Sequence, residues 1–180
     1  MNAATIGRLG VDDWAVFRAI RLESLERAPH VFGTALHQEV DQPERWWRDR
    51  LASPDAGVFA ARQQGEPVGM AGWMLPAAAN TRHRAYLWGV YVRDGLRGGG
   101  IGRGLVAAAV TEAAGRSEAI DLHVLVENTA AVELYRSLGF RIVGTVPRAM
   151  KYAGVLRDQH LMARDPADQS TPGTLQAPVV

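Results

Sequence analysis

The stretch Val92-Arg93-Asp94-Gly95-Leu96-Arg97-Gly98-Gly99-Gly100-Ile101-Gly102-Arg103-Gly104 lies between the most β-prone segment of the chain and a long run of helix-forming residues. Glycine adopts positive φ without cost and lets another molecule approach the backbone with no Cβ in the way, so this cluster predicts a sharp strand-to-helix turn. The first turn of a helix carries unpaired N–H donors and a partial positive charge. Turn and helix together make an anion site, and phosphate is the usual guest. Arg97 and Arg103 add full positive charges beside it. A Walker loop needs Lys and then Ser or Thr after its last glycine, and Arg103 and Gly104 stand there instead. A dinucleotide fingerprint needs G-x-G-x-x-G on the first strand of a βαβ unit. Counted from Gly98 or Gly100 the third glycine is missing, and the turn follows several strands. A glycine-rich linker without a ligand is the alternative reading of the loop alone.

Outward from this turn the pattern is regular. Residues 85–92 (AYLWGVYV) form the strongest strand, and residues 100–114 a long helix. Residues 120–126 alternate, with Ile120, Leu122, Val124 and Val126 on one face. Asn128 opens a helix that ends at Leu138-Gly139. Residues 140–145 and 159–163 read as closing strands joined through Pro147 and Gly154. Upstream, residues 57–61 and 67–74 make a hairpin about the turn at residues 63–66. Residues 5–10 are a short strand. Asp12 or Asp13 would cap a helix whose apolar face carries Trp14, Phe17, Ile20, Leu22 and Leu25 and which Pro29 ends. Residues 30–41 are loop-like, and Pro43-Glu44 opens a second helix through Trp46, Trp47 and Leu51. The order is strand, two helices, three strands, helix, strand, helix, two strands, a mixed α/β layer around one sheet. Residues 1–165 are expected to form a single domain, and residues 166–180 a disordered tail.

Composition narrows the function. The 180 residues are 47% hydrophobic and 22% charged, with a formal net charge of +1 and no cysteine. Thiol nucleophiles, disulfide frameworks and cysteine-ligated metals are therefore excluded. The near-zero charge argues against nucleic acid or an anionic membrane as partner. No run approaches the roughly 18 apolar residues that span a bilayer, and the N-terminus lacks a signal pattern, so a cytoplasmic protein is expected. Lys151 is the only lysine. The histidines show no metal-ligand spacing, so no catalytic metal is predicted.

Two motifs carry a resemblance. Arg97-x-x-Gly100-x-Gly102 follows Tyr91-Val92, and ENTAAVELYRSLGFRIVG supplies Asn128, Ala131, Leu134-Tyr135 and Leu138-Gly139-Phe140 at the matching distance. The chain here resembles the GCN5-related N-acetyltransferase (GNAT) superfamily over about residues 60–164. Arg21-Leu22-Glu23 and Phe32-Gly33 are more loosely similar to the first helix and substrate loop of members acting on small amines or protein N-termini. The resemblance implies a mixed, mostly antiparallel central sheet of about six to seven strands flanked by about four helices. It implies acetyl-CoA as co-substrate, with its pyrophosphate held by the backbone of Arg97, Gly98, Gly99, Gly100, Ile101, Gly102 and Arg103. The strand Val90-Tyr91-Val92 would pair with the pantetheine arm, and a backbone N–H there would polarise the thioester carbonyl. Gly89 would mark the bulge that splays this strand from the next. Asn128 would hydrogen-bond the pantetheine, and Tyr135 would protonate the leaving thiolate. Gly99 stands where the family often has a basic or polar residue, and Arg93-Asp94 where x-Pro is common.

Direct attack of a neutral amine on the thioester needs no covalent intermediate, which suits a chain without cysteine. Tyr135 has helical core spacing as well, so a packed core tyrosine is its other reading. The glutamate that many family members carry near the start of the central strand is replaced by Tyr86 and Trp88. His83, just upstream, is the candidate base, its alternative being a loop histidine between arginines. Glu39 and Trp88 are assigned to the acceptor, with a solvated carboxylate and a packing indole as alternatives. His123 and His160 read as structural. The leading function is acetyl-CoA-dependent N-acetylation of a primary amine on a small molecule or peptide. The alternative is a catalytically weak acyl-CoA sensor. A homodimer is compatible with the resemblance. The acceptor is read by loops expected at residues 30–44, 76–84 and 147–156.

Overall fold

The computed structural model describes residues 4–165. The tail expected at residues 166–180 lies outside them. In chain order the elements are β1 (Thr5–Arg8), α1 (Trp14–Arg27), α2 (Glu44–Ala52), β2 (Ala56–Gln63), β3 (Glu66–Met74), β4 (Arg84–Val92), α3 (Ile101–Ala114), β5 (Ala119–Leu125), α4 (Thr129–Arg136), β6 (Arg141–Tyr152) and β7 (Val155–Arg164). Short 3-10 turns precede α1, α2 and β4. The seven strands form one sheet in the order β1-β2-β3-β4-β5-β7-β6. Every pairing is antiparallel except β4 with β5. This is the mixed, mostly antiparallel sheet with four helices that the sequence implies.

Both faces of the sheet are covered. On one, α3 buries Leu105, Val106, Ala109, Val110 and Ala113 against Trp73, Leu87, Ile120 and Leu122, and α4 adds Val132 and Tyr135. On the other, α1 and α2 bury Phe17, Ile20, Trp47 and Leu51 against Val58 and Met70. Each fully buried aliphatic or aromatic side chain of this kind contributes about 1.5–3 kcal/mol. Small residues set the distance between layers. A Cβ on Gly69 would lie 2.8 Å from the Tyr91 carbonyl oxygen and 3.0 Å from a Leu105 methyl. No helix among the described residues is long and apolar enough to cross a membrane.

Two local expectations change. Asp13 does not cap α1 with its side chain; the carboxylate accepts from the Gly10 amide at 2.9 Å and from Arg62 at 2.7 Å. The segment expected as a loop at residues 147–156 is mostly strand. β6 continues through Pro147 to Tyr152, and Ala153-Gly154, with φ of 48 and 82, makes the tight turn into β7. Pro147 is tolerated because β6 is the sheet edge, where no ladder bond is lost. The register shifts between Val146 and Met150, and Asp158 accepts the Arg148 amide at 2.8 Å where the ladder is interrupted.

Candidate active site

The site is built on β4. Its ladder with β5 covers Arg84↔Ala119, Ala85↔Ile120 and Tyr86↔Asp121 and then stops. The cause lies on the other side of β4. Gly72 faces Trp88 while Met70 faces Tyr91, so β4 carries one residue more than β3 over this interval. Such a bulge bends its strand and sharpens the twist. Gly89 sits in it with φ +64, a conformation that costs any residue with a Cβ about 1–2 kcal/mol. Beyond Tyr86 the β5-facing edge of β4 has no strand partner. The opening is part of a cleft of about 1350 Å³ between β4 on one side and β5 and α4 on the other.

The glycine turn closes one end. Gly95, Gly98 and Gly100 have φ of 82, 82 and 85, and a Cβ at Gly98 or Gly100 would meet nothing within 4 Å. The backbone there is bare towards the cleft, with the first turn of the 14-residue α3 behind it. Gly98, Gly100, Gly102, Arg97 and Arg103 line the cleft. Gly99 belongs to the same turn outside that lining, and Ile101 packs into the core. Arg97 folds the turn back on β4 by donating Nε to the Val92 carbonyl at 3.1 Å, with Nη2 on Asp94 at 3.0 Å. Arg103 donates to Ser137 Oγ at 2.5 Å, tying α3 to the end of α4.

Val90, Tyr91 and Val92 line the cleft. The Tyr91 side chain, however, is buried away from the cleft mouth. Its hydroxyl donates to Glu23 at 3.1 Å, and Glu23 also takes a bidentate pair from Arg93 at 2.6 and 2.8 Å. Burial, followed by the Glu23 carboxylate, pushes the Tyr91 phenol up to about 12. Asn128 accepts the Ala131 amide at 3.2 Å and so caps α4, leaving its Nδ2 donors for a ligand.

Tyr135 reaches the opening from α4. Its ring is buried edge-on to Phe140 at 5.9 Å, and its hydroxyl has no hydrogen-bond partner among the described residues. Burial drives its phenol well above the usual range, so it stays protonated. On the opposite face of the sheet, Trp88 lies over Gly72, where a Cβ would come within 2.5 Å of the indole. Arg21 stacks over Trp88 at 5.6 Å and Phe32 at 5.4 Å.

Three predicted residues stand differently from their expected roles. Glu39 lines the cleft, yet it is buried and already bonded in bidentate fashion to Arg21, at 2.9 and 3.0 Å. Both of its carboxylate oxygens accept from that guanidinium. His83 sits before β4 at the end still paired to β5, where its carbonyl accepts the Glu118 and Ala119 amides; it is not among the residues lining the cleft. His123, which reads as structural, does line it, two residues past the last β4–β5 pair and edge-on to Tyr86 at 5.6 Å. The alternation of Ile120, Leu122 and Val124 held the signal, because it puts His123 on the face opposite α3 and α4. Arg50 also lines the cleft, and nothing in its helix pattern distinguished it. Among the described residues no group of three or more His, Asp or Glu side chains is placed to hold a metal.

The family model described as acetyltransferase (GNAT) family matches residues 18–140, more than half of the chain. The chain belongs to the acetyltransferase (GNAT) family. The expectations of family and fold are met, and that of an acetyltransferase is met at the level of the family. An N-alpha-acetyltransferase RimI from Mycobacterium tuberculosis is 34% identical over 71% of this chain and 78% of its own length. A ribosomal-protein-alanine N-acetyltransferase structure from Brucella melitensis is 26% identical with a TM-score of 0.74, covering 89% of this chain and 99% of its own. In fold alone, the chain is similar to yncA from Salmonella typhimurium, described as an acetyltransferase with its cofactor acetyl-CoA. That structure has a TM-score of 0.78 at 20% identity over 99% of each chain.

Proposed function

We propose that the protein moves an acetyl group from acetyl-CoA to a primary amine of a small molecule or peptide, by direct attack in a ternary complex. The observation that carries this reading is the parting of β4 from β5 at the Gly89 bulge, with the Tyr135 hydroxyl on one side and the bare glycine turn at its end.

The residues fit the co-substrate. The open backbone at Gly98 and Gly100 and the α3 N-terminus suit a pyrophosphate. The unpaired edge of Val90–Val92 suits the amides of a pantetheine arm, and Asn128 Nδ2 adds a donor. Acetyl-CoA supplies the activated thioester and a thiol leaving group. A β4 backbone N–H at the bulge polarises the carbonyl as charge develops on its oxygen. His123, which lines the cleft past the last β4–β5 pair, takes the proton of the acceptor amine, directly or through water. Tyr135 holds its proton until sulfur needs it.

The test is release of free thiol from acetyl-CoA against a panel of amino acids, polyamines, aminoglycosides and short peptides. Amine-dependent release is expected. No release, with no rise in melting temperature on adding acetyl-CoA, would overturn the assignment. Binding without turnover would favour an acyl-CoA sensor.

A further inference from the structure

The acceptor end of the cleft has a charge balance that the acetyl-transfer reading does not explain. Arg21 and Glu39 are 4% and 3% exposed and neutralise each other through Nε and Nη2. The remaining edge of that guanidinium, Nη1, is turned to the bulge, 3.8 Å from where a Cβ on Gly89 would stand. Phe32 and Trp88 hold its face, so this donor edge is fixed.

Arg50, in the last turn of α2, lines the same cleft as a second guanidinium. Its central carbon lies over the Trp46 ring, 3.9 Å from the centroid. Stacking occupies the face of a guanidinium and leaves its in-plane donors free. The carboxylates of its own helix are engaged elsewhere, Glu44 on Arg48 and Asp49 on Arg45. Glu39 acts on Arg50 only at a distance and is shared with Arg21. Arg21 and Arg50 thus line the cleft beside the buried Glu39, and Asp49 and Asp55, which also line it, are paired with Arg45 and Arg82. Arg50 is exposed on the cleft wall, so an anion arriving there meets a charged donor that carries no ion pair of its own among the described residues.

We propose that Arg50, with the Nη1 edge of Arg21, anchors a carboxylate of the acceptor, so that the enzyme selects amines that carry one. This rests on the acetyltransferase reading and names its substrate class. The carboxylate comes from the α-carboxyl of a free amino acid or from an acidic residue beside a peptide N-terminus, and the assay separates the two sources.

The experiment measures acetyl-CoA-dependent thiol release with proteinogenic L-amino acids and their primary amides, and with Ala-Asp-amide and Ala-Asn-amide. It uses wild type, Arg50→Gln and Arg50→Lys. Wild type is expected to favour one carboxylate-bearing set over its neutral counterpart. Arg50→Gln is expected to lower that kcat/KM ratio about 10- to 100-fold, as loss of a charged bidentate contact would, with Arg50→Lys in between. As a readout independent of turnover, N-acetyl amino acids should raise the melting temperature of the CoA-saturated wild type more than their amides do, and Arg50→Gln should abolish the difference. Equal use of acids and amides by wild type, an unchanged ratio in Arg50→Gln, or neither turnover nor binding of any carboxylate-bearing probe overturns the inference. If acetyl-CoA still binds or turns over, the acetyltransferase reading survives that failure; if it does neither, both fall.

Discussion

Replacing Tyr135 by Phe removes a single oxygen and separates chemistry from packing. The ring is buried against Phe140, and a phenylalanine keeps that contact and that volume. The hydroxyl has no protein partner among the described residues, so its loss orphans no donor or acceptor. Burying a hydroxyl without a partner costs about 1–3 kcal/mol in protein mutational series, discounted here because this one faces the cleft. Tyr135→Phe is therefore expected to melt at the same temperature as wild type or a few degrees higher, at roughly 2–4 °C per kcal/mol for a chain of this length. If the hydroxyl protonates the leaving thiolate, kcat falls by about 10²–10⁴-fold, while acetyl-CoA still raises the melting temperature. Steady-state thiol release and a thermal melt with and without acetyl-CoA read both quantities on one preparation. A kcat within about threefold of wild type would refute the acid role. A drop of several degrees in the melt would refute the claim that the hydroxyl is structurally idle.

Gly89→Ala places a Cβ at φ +64 and 3.1 Å from the flexible end of Met70. A cost of about 1–2 kcal/mol is expected, lowering the melt by roughly 2–8 °C and raising the KM for acetyl-CoA as the bulge relaxes; no change in either would show that the bulge does not hold the opening. His123→Asn is expected to lower kcat/KM about 100-fold while acetyl-CoA still raises the melting temperature; an unchanged kcat/KM would assign the base elsewhere. Arg93, and after it Tyr91, hold the Glu23 carboxyl below its ordinary value against a smaller opposing effect of burial. That contribution is complete above the unfolded carboxyl value near 4.3 and is lost as pH falls through the lower folded value. The wild-type melt should therefore fall more steeply than that of Glu23→Gln from about pH 5 to about pH 3; parallel curves would refute the linkage.

Much of this was legible along the chain because its causes are local. The glycine turn before α3, the periodic faces of α1 and α3, and the alternation in β5 are written within a few residues of one another. So is the Leu134-Tyr135 motif that sets a phenol on α4. The extent of β6 was not legible, because an edge strand tolerates Pro147 and exposed side chains that elsewhere mark a loop. The partner of Glu39 lies 18 residues upstream, on α1, and no spacing rule links them. His83 precedes β4 along the chain and His123 sits within β5, yet it is His123 that lines the cleft, because it lies past the last β4–β5 pair.

By itself, then, the sequence determined the order of elements, the family and the glycine-rich turn before α3, since helix, strand and turn preferences act over three or four residues. Only the tertiary structure decided where β4 leaves β5, which carboxylate was already neutralised, and which arginines line the cleft. Those are outcomes of packing between segments far apart in the chain, where burial and geometry set the charge of the site.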